Sequence, residues 1–159
     1  MKNAFTIFLF FYSVIGYSQN PNDCTDAILL CGDTSFGISP SGIGVNEFAQ
    51  AGNPVPTCFS FQTNQAWFRV EIQTTGTFSF ALTPDTAQAD YDFAVFGPVL
   101  DCDNLGAAIR CSSTNPRDAG VTGETGLNNV ETDFIEGPGA NGNGFLQELT
   151  VNAGEVYYV

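Results

Sequence analysis

The 159-residue chain contains no histidine, and its sole lysine is Lys2. Nucleophile-His-acid triads, His-bearing zinc sites and Schiff-base lysines beyond that position therefore have no residues to be built from. Arginine is scarce too: Arg69, Arg110 and Arg117 complete a basic set of 4 against 17 carboxylates, for a net charge of −13. Affinity for phosphate backbones comes from clustered cations, so nucleic acid and anionic membrane surfaces are excluded as natural partners. Long apolar runs are also missing. The stretch from Ala4 to Ile15 covers 12 residues, whereas crossing a bilayer takes about 20.

That short run reads instead as a leader. Lys2 supplies a positive start, the apolar stretch follows, and Gly16 and Ser18 are small residues suited to cleavage before Gln19. Residues 1–18 are therefore expected to be a signal peptide, and 19–159 a single module with one core, exported to the medium or the outer cell surface without a membrane span. All five cysteines follow the expected cleavage point, and an oxidising compartment favours disulfides. The short Asn/Gly-containing connection between Cys102 and Cys111 predicts that these two pair. Cys58 is then expected to pair with Cys24 or Cys31, leaving one thiol over.

Strand periodicity dominates. Phe68, Val70 and Ile72 alternate with Arg69, Glu71 and Gln73, and Phe78, Phe80 and Leu82 alternate with polar neighbours, so each strand has one buried and one wetter face. Thr74-Thr75-Gly76 predicts a hairpin between them. Tyr91 to Phe96 reads as a central strand, Phe145 to Val151 and Val156 to Val159 as two more, and Ala27 to Cys31 and Phe59 to Phe61 as weaker ones. The sole helical turn is expected near Asp23 to Ala27, capped by an Asn or Asp. Gly137 to Gly144 reads as a surface loop, since no Lys-Ser/Thr follows it as a phosphate loop requires. The sum is an all-β, antiparallel β-sandwich or jelly roll. The chain ends at the bare apolar strand Val156-Tyr157-Tyr158-Val159, so the module is expected to be incomplete at its C-terminus.

Two carboxylate groups could carry chemistry. Glu131-Thr132-Asp133-Phe134-Ile135-Glu136 resembles the strand motif of laminarinase-type jelly-roll glycoside hydrolases. That resemblance implies Glu131 and Asp133 on one strand face with Glu136 joined through a bulge, as a retaining mechanism on β-glucan requires. It departs from the motif at Thr132, where an aliphatic residue belongs, and Trp67 is the single tryptophan available to a sugar cleft. The competing reading is an acidic solvated loop. The other group, Asp90-Tyr91-Asp92, enters the expected central strand, where carboxylates suit a hard cation such as Ca²⁺. Here the competing reading is a carboxylate that caps backbone N–H groups at the strand's start.

Asn22-Asp23-Cys24, Ala27-Ile28, Cys31-Gly32, Trp67, Asp90-Tyr91-Asp92-Phe93, Phe96-Gly97-Pro98, Cys102, Asn104-Leu105-Gly106, Ile109-Arg110-Cys111, Thr114-Asn115-Pro116 and the Gly137 to Gly144 loop together resemble the N-terminal module of large secreted proteins of the Bacteroidetes. Such proteins often carry immunoglobulin-like repeats and a type IX secretion sorting domain, and are frequently labelled gliding-motility-associated. The resemblance spans Pro21 to Val159 and implies a non-catalytic, adhesin-like extracellular module, attached to downstream domains, that binds a carbohydrate or protein. A ligand-free spacer is the remaining alternative. More distantly, Tyr91 to Pro98 is similar to CUB and pre-peptidase C-terminal β-sandwiches, which implies Asp92 as a calcium ligand with Asp90 beside it. Glu47 is a further oxygen donor that no motif ties to that pair. Asp85-Thr86-Ala87 resembles the O-glycosylation acceptor of this bacterial group, which implies a glycan on Thr86.

Overall fold

The computed structural model describes residues 21–49, 57–59, 63–86 and 89–159. The expected leader, 1–18, and most of the expected strand at 59–61 lie outside them. Five strands occupy the first part of the chain: β1 (Ile28–Cys31), β2 (Phe68–Glu71), β3 (Gly76–Phe78), β4 (Phe80–Leu82) and β5 (Phe93–Val95). Six follow: β6 (Arg110–Thr114), β7 (Thr125–Asn128), β8 (Ile135–Gly139), β9 (Phe145–Gln147), β10 (Leu149–Val151) and β11 (Val156–Tyr158). Helix among the described residues is limited to single 3-10 turns at Cys24–Asp26, Glu47–Ala49 and Cys102–Asn104. None is long and apolar enough to cross a membrane.

The strands form four small sheets, ordered β1-β2-β11, β10-β3, β4-β7-β9 and β5-β6-β8. Pairing is mixed rather than antiparallel throughout: β1 runs parallel to β2, β6 to β8, and β7 to β9. The hairpin expected at Thr74-Thr75-Gly76 does not form. β2 pairs instead with β1 and β11 while β3 pairs with β10, so this turn passes the chain from one sheet to the next. The apolar runs around Phe78 and Phe145 are likewise each two strands. They break at Ser79 and Glu148, where the hydrogen-bonding partner changes: β3 and β10 pair with each other, while β4 and β9 both flank β7.

Two apolar clusters share a wall. Ala94 and Phe96 pack with Trp67, Leu105 and Tyr158, whereas Phe93 and Val95 pack with Leu127, Leu146, Val151 and Tyr157. Successive residues of a strand point to opposite faces, so β5 and β11 each feed both clusters. This is why Phe93 to Phe96 is apolar at every position and buried throughout. A backbone bridge between Phe96 and Tyr158 joins the two sheets there. Aromatic rings build the first cluster, with Phe48 5.8 Å from Trp67 and 5.9 Å from Phe96 between ring centroids, separations at which tilted pairs attract.

The turn at Cys24–Asp26 lies where a helical turn was expected, but its cap differs. Asp23 makes no side-chain bond to the turn; its carboxylate accepts the Val45 N–H instead. Disulfides join Cys24 to Cys102 and Cys58 to Cys111, and Cys31 is free and exposed. The expected Cys102–Cys111 pair is therefore corrected, as is the partner of Cys58. The cause is topological: Cys111 is buried within β6 and faces the first cluster, while Cys102 belongs to the 3-10 turn set against Cys24. Both bridges span long stretches, 78 and 53 residues, each stabilising by about 4 kcal/mol in the chain-entropy model.

Replacing Cys58 and Cys111 together by Ala is expected to lower the unfolding free energy by about 2–5 kcal/mol in urea. A non-reducing peptide map should recover Cys24 with Cys102 and Cys58 with Cys111, with Cys31 alkylated before reduction. A Cys102–Cys111 peptide would contradict the pairing.

Candidate functional site

The most organised polar centre surrounds Glu136. Glu136 on β8 lies directly across from Ser112 on β6, and residues paired across a sheet project to the same face. Ser112 Oγ donates to Glu136 Oε2 at 3.1 Å. The chain then turns at Asn141–Gly144 and returns its backbone to the same carboxylate: Asn143 N–H reaches Oε1 at 2.7 Å and Gly144 N–H reaches Oε2 at 2.8 Å. Glu136 is 5% exposed and Ser112 is fully buried, so this is a buried carboxylate held by three donors. Removing it would strand two amides, each costing about 1–3 kcal/mol. The approach is close: a Cβ at residue 142 would lie 2.1 Å from Glu136 Cδ, so any larger residue there would displace the carboxylate.

The strand placement that the hydrolase motif implies is not the one observed. Glu131 and Asp133 precede β8 in irregular chain, where Asn128 Oδ1 accepts the N–H groups of Val130 and Glu131. Glu131 accepts Asn143 Nδ2 at 2.9 Å, so Asn143 bridges Glu131 and Glu136 as a donor to both. Asp133 is exposed, and its backbone carbonyl accepts the Gln147 N–H. The expected placement of Glu131 and Asp133 on one strand is thus corrected. Gly137 to Gly139, expected to be loop, belongs to β8, and only 140–144 turns outside it.

Asp90 and Asp92 sit before β5 with solvent access. Desolvation by the adjoining protein, and then the Asp90 charge, push the Asp92 pKa up to about 6. Asp90 is also raised, chiefly by desolvation, with Arg117 opposing. Backbone carbonyls around the pair accept side-chain hydrogen bonds. Arg117 donates to Ala89 O at 2.9 Å and Thr86 O at 3.3 Å, and Thr125 Oγ1 donates to Tyr91 O at 2.9 Å. Among the described residues, no three His, Cys, Asp or Glu side chains converge as a metal site. Arg117 supplies positive charge beside Asp90. Thr86 is exposed, as a glycan acceptor requires.

Several polar residues outside these motifs are built in as firmly. Arg110 donates to the carbonyls of Ile109, Gln147 and Glu148 and lies 4.2 Å from the Phe134 ring centroid. Glu47 is buried under the N-terminal segment and Asn22 beside it. A depression of about 240 Å³ opens beside the Cys24–Cys102 bridge, lined also by Thr25, Arg69, Asp101 and Tyr158, with Arg69 paired to Glu71. None of the acids singled out by sequence lines it. Glu47 stood out only as a further oxygen donor without a motif, and Arg69 not at all, because their partners come together only through tertiary structure.

Comparisons of the chain with protein-family models, with curated proteins and with solved structures give no match. The fold and sites define the class so far: a strand-rich, disulfide-bonded chain with its buried acids tied to backbone.

The raised pKa of Asp92 has a definite sign. An acid that binds its proton more tightly in the folded state lowers stability as pH rises from its unfolded pKa, about 4, through its folded value; solvent access damps the size. Asp92→Asn is therefore expected to raise the melting temperature at pH 7 and leave it unchanged at pH 4. A lower melting temperature at pH 7 would contradict this and show that the Asp92 charge has a favourable partner in the folded state.

Proposed function

We propose that the chain is a non-catalytic β-sandwich module of an exported bacterial surface protein, serving adhesion through carbohydrate or protein binding. The observation that carries this reading is the commitment of Glu136. A general acid or nucleophile needs a carboxylate oxygen facing substrate, whereas both oxygens of Glu136 accept backbone N–H groups and the residue is buried. The two disulfides support an oxidising, extracellular location. The sequence resemblance to N-terminal modules of secreted Bacteroidetes proteins supports a place at the head of a longer polypeptide, exported for the cell surface and connected with gliding motility. Contact surface is available where Phe36, Ile38 and Ile43 stand exposed in one stretch, and large apolar exposed side chains are the usual currency of recognition.

Glycan and cell-surface protein arrays are expected to show saturable binding that weakens in the double variant Phe36→Ser, Ile38→Ser. Assay on β-glucan should find no hydrolysis. Wild-type hydrolysis abolished by Glu131→Gln or Glu136→Gln would replace this reading with the glycoside hydrolase, and arrays without saturable binding would replace it with a ligand-free spacer.

A further inference from the structure

Glu47 is a second buried carboxylate and, like Glu136, is met by uncharged donors. It is 7% exposed; Oε1 accepts the Cys24 N–H at 2.7 Å and Oε2 accepts Gln65 Nε2 at 3.2 Å. Its donors are neutral, as those of Glu136 are, and a buried carboxylate gains from a cation placed beside it. The arginines are engaged elsewhere, Arg69 with Glu71, Arg110 with three carbonyls and Arg117 with two.

The same enclosure gathers further oxygens. Gln65 Nε2 also contacts the backbone carbonyls of Asn22 and, at 3.5 Å, Val45. The Asp23 carboxylate accepts the Val45 N–H. A Cβ at residue 44 would come within 2.0 Å of Asp23 Oδ1, and the backbone there has φ +54°, so glycine is what lets this loop close over Asp23. Asn22 is 6% exposed; its Nδ2 donates to the Ser41 carbonyl, while Oδ1 is buried without a hydrogen-bond partner. Buried amide oxygens are almost always satisfied, and an orphan calls for an ion or water.

We propose that Asn22, Asp23 and Glu47 form a binding site for a hard divalent cation of the Ca²⁺ type. Two carboxylates match its charge. Asn22 Oδ1 and the carbonyls of Asn22 and Val45 are the neutral oxygens such an ion accepts. Turning the Gln65 amide by half a rotation would replace its NH₂ donor with Oε1, adding one more. The site is separate from Asp90 and Asp92, where no buried side-chain oxygen of the described residues is left unpartnered. An ion here would pin the N-terminal segment to the 41–47 loop, and so stabilise the entry to the fold.

Terbium, a luminescent stand-in for Ca²⁺, tests this on the intact chain. Trp67 is the only tryptophan, and its backbone N–H is bonded to the Pro21 carbonyl at 2.7 Å, next to Asn22. Indole-sensitised terbium emission is expected to saturate at one site per chain, to be competed away by Ca²⁺, and to weaken about 10-fold or more in Glu47→Gln and in Asp23→Asn. Asp92→Asn should leave it unchanged. Ca²⁺ should also raise the melting temperature of the wild-type protein, a readout that holds even if a variant fails to fold. No emission and no thermal shift, emission that survives both variants, or emission lost only in Asp92→Asn would overturn the site.

Discussion

A carboxylate inside a protein must be met by something, and the described core has no histidine or lysine with which to meet it. The chain uses backbone N–H groups. Glu136 draws two of them from the Asn141–Gly144 turn and a hydroxyl from Ser112, and hydrogen bonds to a charged acceptor are roughly twice as strong as neutral ones. The rest of that end of the fold follows from this tie. The turn is closed by it, β8 is held in register against β6, and Asn143 is positioned to bind Glu131 and to accept the Phe145 N–H where β9 begins. Chemistry by Glu136 would require breaking the bonds that keep the turn folded.

The arginines obey the same economy. Arg110 and Arg117 each spend their donors on backbone carbonyls of distant loops, so they act as fasteners rather than as free surface charge. Covalent fastening adds to these ties. The Cys24–Cys102 and Cys58–Cys111 bridges lie beside the aromatic cluster of Phe48, Trp67 and Phe96. Hydroxyls are fully buried on the same principle. Thr114 donates to Gly137 O and Thr125 to Tyr91 O, so neither leaves an unmet group in the interior.

Sequence alone revealed the strands whose apolar residues signal them. Phe68 to Glu71, Phe93 to Val95 and Val156 to Tyr158 lie inside the runs that periodicity marked, and the strand-rich character of the chain follows from them. It did not reveal β6, β7 or β8. Arg110 to Thr114 and Thr125 to Asn128 are polar, and Ile135 to Gly139 contains Gly-Pro-Gly, so local propensity points away from a strand. Those segments are strands because partners distant in the chain satisfy their hydroxyls and backbone, a non-local effect that a local window cannot register. The disulfide pairing failed for the same reason, since proximity along the chain favoured Cys102 with Cys111 while the topology separates them. At the candidate sites, the acidic residues stood out in the sequence. Which of them were buried and already engaged was visible only once the turn after β8 and the loop around Glu47 were in place.

The account stands on Glu136 being a structural acceptor, and native-state amide hydrogen exchange reads that directly. If the carboxylate holds the turn, the amides of Asn143 and Gly144 should be protected to the same degree as those within β6 and β9, although they lie in a loop. Exchange of both at the rate of exposed loop amides would contradict the account, because it would leave the buried carboxylate free for other work.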